Sequence, residues 1–533
     1  EGIDFARFYA SQAPNEDSST PTGVVLVVPP WNFPYAIPAG GVLAALAGGN
    51  AVILKPAPET VAVAFELAHQ LWDAGVPREV FQMVPTRDDD SGRHLVTHVG
   101  VSTVILTGSF ETAKLFTSWK PSLRLLAETS GKNALVISAS ADIDLAVKDL
   151  VHSAFGHAGQ KCSAASLAIV ERSIYNDPQF LHQLTDAVST LRVGAGYELA
   201  SDVGPIIRAP EAPLLRALRD LDAGESWLVA PEQLDEEGLL WRPGVKVGVR
   251  PGSWSHLNEW FGPVLGVMVA RDLEEAVRWQ NQTPYALTAG LHSLNATECE
   301  RWIEYVEGGN LYVNRGTTGA VVRRQPFGGW KRSSVGPTAK AGGANYVNCL
   351  RNWPRVRDVG VALAEASTWW HEVGSTARDE SGLEAERNYV RYRHYLAPIV
   401  VRIDESFAPD ALAYLRGLEE RAELDLDFSA DVRVRGVTGL TIENADELVA
   451  RVSPTTKVRW LSDEEAPTLA LLERGVSVDR RELAQAGAVE LARWLHEQSV
   501  AITNHRYGNV HAGPKPPVRG LGEAITAEEI FTG

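Results

Sequence analysis

Cys162 stands in the run FGHAGQKCSAAS, among small residues and directly after Lys161. A neighbouring cation favours the thiolate, and small neighbours let an electrophile come close to it. A lone cysteine is also a common small core residue, and the residue type alone does not choose between these readings. Glu128 lies in LLAETSGKN, where an apolar run enters a carboxylate followed by Thr-Ser-Gly. That pattern sets the carboxylate at the end of a strand, where burial raises its pKa toward the range of a general base. A helix cap or an ion pair is the structural alternative. Asn32, in PPWNFP, follows a strand, and its amide could donate to a developing oxyanion or simply form a turn between prolines. Lys55 closes the strand AVILK, from which a lysine reaches a nucleotide ribose or solvent. The turn TGSFETAK puts Gly108 and Ser109 at a helix N-terminus, whose free N–H groups attract phosphate. It is not a full GxGxxG, and by itself it is weak. Cys299 and Cys349 occupy amphipathic or linker contexts and read as structural.

These groups need elements to hold them. The run from Gly23 to Pro29 (GVVLVVP) reads as a buried parallel strand. A loop, a small-residue helix (AGGVLAALAGG) and the strand Ala51 to Leu54 follow. Next come a helix from Glu59 to Gly75, a strand near Phe81 to Val84, and the strand Val101 to Leu106. Strands alternating with helices at this spacing predict a doubly wound α/β sheet with right-handed crossovers. The rhythm runs to about Asn352. Residues 353–393 then turn charged and read as a helix followed by a loop or linker. From His394 a second, smaller α/β unit begins: strand LAPIVVRI, helix PDALAYLRGLEERA, strand KVRWLS, helix VELARWLHEQ. The divisions are 1–130, 131–330, 331–352, 353–393 and 394–533, with no fixed-period repeat.

Composition narrows the function classes. Of 533 residues, 45% are hydrophobic and 22% charged, an ordinary globular balance. Fifty Lys and Arg against 67 Asp and Glu give a formal charge of -17. That argues against nucleic acid and against an electrostatic grip on anionic lipid. Three widely spaced cysteines form neither a disulfide framework nor a zinc site, so no metal is expected and a reducing, cytoplasmic setting fits. No apolar run reaches the ~18 residues of a membrane span, and no signal peptide opens the chain. The start at Glu1 suggests a portion of something longer.

The stretches PWNFP, GGNAVILKPAPET, LTGSFETAK, ETSGKNALV, GQKCSAAS, EWFGPVLGV and QPFGGWKRSSVG, in this order, resemble the aldehyde dehydrogenase superfamily over roughly residues 1–350. The resemblance implies a Rossmann-like cofactor domain at 1–130, incomplete at its N-terminus, and an α/β catalytic thiol domain at 131–330. It implies Cys162 as nucleophile, Glu128 as base, and Asn32 with the Cys162 backbone N–H as oxyanion donors. Glu259 and Phe261 would lie at the nicotinamide riboside, and Lys55, Gly108 and Ser109 at the ADP portion. Two departures stand out. The acidic residue often found three positions after the lysine is replaced by Pro58, with Glu59 next to it, which leaves NAD against NADP open. The second glycine of the phosphate turn is Ala113.

Within the superfamily, AVVRRQPFGGWKRSSVGPTAKAGGANYV is similar to the branch that oxidises L-glutamate γ-semialdehyde. There an anchor loop of backbone N–H groups holds the substrate α-carboxylate. In this sequence that would be Ala341, Gly342 and Gly343, within a return and oligomerisation segment at 331–352. Ser163 would add a hydroxyl, and Phe33 would flank the aliphatic stem. The C-terminal unit resembles the extra domain of bacterial bifunctional proline-utilisation enzymes, whose FAD-dependent proline dehydrogenase barrel is not in this sequence. The upstream portion of the same polypeptide and a homo-oligomer are the partners implied, and peripheral membrane contact of the full-length enzyme is left open. The competing readings are an aldehyde dehydrogenase for another semialdehyde or aliphatic aldehyde, a non-catalytic scaffold with this fold, and a cofactor-free thiol esterase.

Overall fold

The β-branched run Val24–Val28 forms a strand with four of its five residues buried, as a parallel strand covered on both faces requires. It lies at the centre of a six-stranded sheet. Ala51–Leu54 and Phe81–Met83 lie to one side of it; Val101–Thr107, Leu125–Glu128 and Ser334–Val335 lie to the other. All pairings are parallel except that of Ser334–Val335. The winding direction reverses between Val24–Val28 and Val101–Thr107, so a crevice opens at the carboxyl ends of these two strands. Helices Ala36–Ala47 and Val61–Asp73 pack one face, and Phe110–Trp119 packs the other.

The computed structural model describes residues 1–14 and 18–506 and the backbone of the two-residue strand Asn509–Val510. The end of the expected 394–533 unit, 511–533, lies outside the described residues. Among the described residues no helix is long and apolar enough to cross a membrane.

A ten-stranded sheet forms the middle of the molecule. Its order is Arg378–Asp379, Glu386–Arg393, His496–Thr503, Asn310–Val313, Thr288–His292, Asn133–Ile137, Ala165–Glu171, Val264–Ala270, Gly244–Val247 and Ser226–Val229. The third sheet has five parallel strands: Thr441–Ile442, Leu426–Ala430, Ile399–Arg402, Val458–Trp460 and Val478–Asp479. Its strands wind outward from Ile399–Arg402 in the same order as those of the first sheet. Expected strands and helices of the first 107 residues agree with the structure to within a few positions.

Two expectations are corrected. The helix read over VELARWLHEQ stops early: only Gly487–Ala492 is helical, and His496–Thr503 is a strand. The local helical pattern loses because Gln498–Ala501 are buried between two strands, parallel to Asn310–Val313 and antiparallel to Glu386–Arg393. The segment 353–393 is likewise no linker. Helix Val359–Trp369 continues through a π-turn, Trp370–Gly374, and Glu386–Arg393 joins the middle sheet. Its charges are not simply solvated. Arg391 and Arg393 reach the Glu304 carboxylate and the carbonyls of Ile303 and Glu304, at the C-terminal end of helix Ala296–Tyr305, where cations are favoured.

Candidate active site

Cys162 lies in the turn between the 3-10 segment Gly156–Gly159 and strand Ala165–Glu171. Neighbouring strands pin this turn through its carbonyls. Asn133, buried at the start of its strand, donates from Nδ2 to the Cys162 carbonyl at 2.7 Å and the Ala164 carbonyl at 2.9 Å. Its Oδ1 accepts the Thr288 N–H at 3.0 Å. The Ser163 carbonyl takes the Thr317 hydroxyl at 2.9 Å and the Thr288 hydroxyl at 3.3 Å. Three consecutive carbonyls are thus held, and the N–H groups of Cys162 and Ser163 reach the thiol. Asn32 closes the other side. Its buried Nδ2 donates to the Gln160 carbonyl at 3.0 Å, which occupies one of the two amide hydrogens and leaves the second.

Glu128 ends strand Leu125–Glu128, and its Oε2 accepts the Gly329 N–H at 3.0 Å. Burial pushes its carboxyl up to about 8 against the opposing pull of the Gly329 N–H and Lys340. Burial also pushes the Cys162 thiol up to about 12, helped by the carboxylates of Glu259 and Glu128. The resting group is therefore a thiol with two carboxylates in electrostatic reach, and a base must take its proton as it reacts. Lys161 is itself held below the usual lysine range, chiefly by burial.

The remaining expected residues line the crevice of the first sheet and its junction with the middle sheet. Glu259 accepts the Gly131 N–H at 2.9 Å, and Phe261, at φ 53, meets Trp31 edge-on at 5.8 Å. Lys55, buried at its strand's carboxyl end, reaches Asp88 at 2.8 Å. Gly108 and Ser109 precede helix Phe110–Trp119. The Ser109 hydroxyl caps the Thr112 N–H at 3.1 Å, and the Phe110 N–H goes to the Ser130 hydroxyl at 3.3 Å. The helix terminus is thus partly capped from within. A lysine, a helix N-terminus and a fixed carboxylate around a switch-point crevice have the polarity and shape a dinucleotide requires. Phe33 stacks on His157 at 5.9 Å, and Ser163 is buried in the Cys162 turn.

Ala341, Gly342 and Gly343 require a correction, because their N–H groups are already used. Ala341 donates to the Phe327 carbonyl at 2.8 Å, Gly342 to the Tyr9 hydroxyl at 2.7 Å, and Gly343 to the Lys340 carbonyl at 3.0 Å. Gly342, at φ +76, packs against Val322 and Phe5 in the core beneath the first sheet. A different glycine loop adjoins the Cys162 turn. Thr317 holds Ser163, and the N–H groups of Thr318, Gly319 and Ala320 enter no hydrogen bond among the described residues. Gly319 has φ +94, and a Cβ there would meet nothing within 4 Å.

Sequence reasoning also missed Asn133, Gln160 and Lys340. Asn133 opens a strand within ETSGKNALV, where a polar residue among apolar ones was the available signal. Gln160 accepts the Ile207 N–H at 3.0 Å and donates to Phe261 O at 3.4 Å, tying the turn to two further segments.

The model of the aldehyde dehydrogenase family matches residues 4–353. The 1-pyrroline-5-carboxylate dehydrogenase of Geobacillus thermodenitrificans is 36% identical over 371 residues, covering 65% of this chain and 71% of that protein. The structure of proline utilization A (PutA) from Corynebacterium freiburgense is 42% identical with a TM-score of 0.84. That match covers 96% of this chain, which spans only 53% of the PutA chain. A Thermus 1-pyrroline-5-carboxylate dehydrogenase with bound NAD is 33% identical with a TM-score of 0.60, over 66% of this chain and 72% of that one.

Proposed function

Because the chain belongs to the aldehyde dehydrogenase family, we propose that it oxidises L-glutamate γ-semialdehyde to L-glutamate with NAD. The observation that carries this reading is the Cys162 turn, held by Asn133 and flanked by the Asn32 amide and the Glu128 carboxylate. The names of the relatives supply the substrate, and the loop 317–320 supplies a reason for it.

In this reading Cys162 sulfur adds to the aldehyde carbon as Glu128 takes the thiol proton. The carbonyl oxygen becomes an oxyanion, met by the second Asn32 amide hydrogen and the Cys162 N–H. A bound nicotinamide would accept the hydride leaving that carbon, with Glu259 and Phe261 beside its riboside and Lys55, Gly108 and Ser109 toward the ADP portion. Glu128 then sheds the thiol proton, deprotonates the water that hydrolyses the thioester, and returns that second proton to the departing Cys162 thiolate. Backbone donors of Thr318, Gly319 and Ala320, with the Ser163 hydroxyl, would receive the substrate carboxylate. Phe33, stacked on His157, would flank the stem. The length shared with PutA supports reading the chain as the aldehyde-oxidising part of a bifunctional protein.

The test is NADH formation by the chain with L-glutamate γ-semialdehyde, propanal and succinic semialdehyde, each with NAD and with NADP. A preference for the α-carboxylated aldehyde supports the assignment. Equal kcat/KM on all three would reduce it to an unspecified aldehyde, and no NADH from any of them would refute the dehydrogenase reading.

A further inference from the structure

Of the residues placed around the thiol, Glu128 alone also lines a second space. A cavity of about 900 Å³ lies between the middle sheet and the C-terminal unit. Glu128, Gly328, Lys340, His496 and Glu497 are on its wall, whereas Cys162, Asn32, Ser163 and Glu259 are not. The partition between the two spaces is thin. Gly329 holds Glu128 Oε2, and a Cβ on Gly328 would stand 3.0 Å from Oε1 and 3.3 Å from the Lys340 Cα. A side chain on Gly328 would therefore crowd both Glu128 and the Lys340 backbone.

Lys340 is buried and fixed. Its Nζ donates to the Gly328 carbonyl at 2.6 Å and to Asn310 Oδ1 at 2.8 Å, which uses both hydrogens of the neutral amine and leaves its lone pair to accept a proton. Its backbone N–H donates to Glu497 Oε2 at 3.0 Å, and Asn345 Nδ2 donates to Oε1 of the same carboxylate. Glu497 comes from strand His496–Thr503, which the C-terminal unit supplies.

We propose that Lys340 and Glu497 form a proton outlet, which returns Glu128 to its ionised form by passing its proton into the interdomain cavity. This rests on the hydrolytic step of the proposed function. Once the thioester has formed, Glu128 carries the thiol proton and must lose it before water attacks. That attack breaks a water O–H bond onto Glu128, forms the C–O bond and breaks the C–S bond, the water's proton then returning to the Cys162 thiolate. The thiol-derived proton on Glu128 passes through water of the cavity that both groups line to the neutral Lys340 amine, and the ammonium releases a proton to cavity water beside Glu497. Nothing is oxidised or reduced in these steps. Burial and the surrounding charges suit the transfer, with Glu128 pushed up to about 8 and Lys340 held down to about 7. Matched donor and acceptor exchange a proton at little cost. The groups facing Glu128 are Lys340, Glu497, Cys162 and Tyr346, and His496 also faces Lys340.

The experiment compares Lys340→Met and Glu497→Gln with the unaltered chain, reading the pre-steady-state NADH burst and the slower turnover. The outlet predicts an unchanged burst rate and a turnover lowered by about tenfold or more in Lys340→Met. It also predicts that imidazole, small enough to enter the cavity, restores turnover in proportion to its concentration. A merely structural role for Lys340 would lower stability without imidazole rescue, and that result overturns the proposal. Native turnover in both variants overturns it as well. Should Lys340→Met fail to fold, Glu497→Gln decides by the same two readings. An unaltered chain that makes no NADH refutes the dehydrogenase reading itself, whereas a normal burst with unaltered late phases in the variants refutes only the outlet.

Discussion

Asn133 carries a sharp quantitative expectation. Its side chain makes three buried hydrogen bonds, two donated to the carbonyls of Cys162 and Ala164 and one accepted from the Thr288 N–H. In Asn133→Leu the three backbone partners remain and have no water to turn to. Each unsatisfied buried group costs about 1–3 kcal/mol, so the variant should lose about 3–6 kcal/mol after partial relaxation. Asn133→Asp separates the terms. It keeps shape and the acceptor for Thr288, but sets an oxygen against two carbonyls, and should lose about 2–4 kcal/mol. Once protonated, the introduced carboxyl donates one bond that its ionised form cannot. The Asn133→Asp variant should therefore recover stability as pH falls, while Asn133→Leu should not. Urea denaturation at several pH values measures both losses, and amide exchange over 158–166 shows whether the turn opens first. Burst rates should fall in both variants, because loosening the turn displaces the Cys162 sulfur and the N–H groups beside it. An Asn133→Leu variant within about 1 kcal/mol of native, with a native burst, would refute the claim that Asn133 sets the turn.

Other expectations follow from the same geometry. Cys162→Ala should abolish NADH formation and leave NAD affinity, read by fluorescence quenching, within about twofold, since no cofactor contact depends on the sulfur. Turnover should rise with pH through about 8 as Glu128 ionises, and Glu128→Gln should remove that limb and slow both the burst and the later turnover, since the same carboxylate serves thiol and water. The same group affects stability. Its folded pKa lies above the unfolded value, so between pH 5 and 7 the folded state holds a proton that the unfolded state has released. Stability should fall by about 1.4 kcal/mol per pH unit from this source, a slope that Glu128→Gln should lack in paired melts. Gly319→Val should raise KM for glutamate semialdehyde while sparing propanal; Gly342→Ala should cost about 1–2 kcal/mol of stability through its positive φ and impair both aldehydes alike. Glu490, fully buried, accepts Arg459 and Arg493 at 2.8 Å each, and Glu490→Gln should cost about 3–5 kcal/mol by leaving buried charge unpaired.

What the sequence disclosed follows from the range of the forces involved. The strands Val24–Val28 and Ala51–Leu54 are local statements, because burial on both faces demands an apolar run whatever lies beside it. Cys162, Glu128 and Asn32 were legible through their flanking residues, which form the turns that carry them. The two glycine loops were not separable in the same way. GTTGA and AGGAN both read as flexible turns with exposed N–H groups. They differ only in that Gly342 finds the Tyr9 hydroxyl, 333 positions away. Residues 386–393 failed for a related reason. Their partner strand lies about a hundred residues further on, and arginines that look solvated are consumed by one helix end.

The C-terminal unit bears on the thiol site through the middle sheet. Strand Asn310–Val313 is buried at all four residues, yet without His496–Thr503 it would lie at a sheet edge, where unpaired backbone groups invite exchange or aggregation. Covering the edge also fixes what surrounds Glu128. Ser499 donates its hydroxyl to the Pro326 carbonyl at 2.6 Å and its N–H to Gly309 O at 2.9 Å, while Gln498 holds Gly308 O at 2.9 Å. Asn310 in turn takes the Gly328 N–H at 3.2 Å and donates to Pro326 O at 3.0 Å. The segment 326–329 is therefore clamped from the side opposite the thiol, and Gly329 is the residue whose N–H orients the Glu128 carboxylate. Strand His496–Thr503 thus helps to fix the position of Glu128 through hydrogen bonds as well as packing, which accounts for its being built into the middle sheet rather than set beside it.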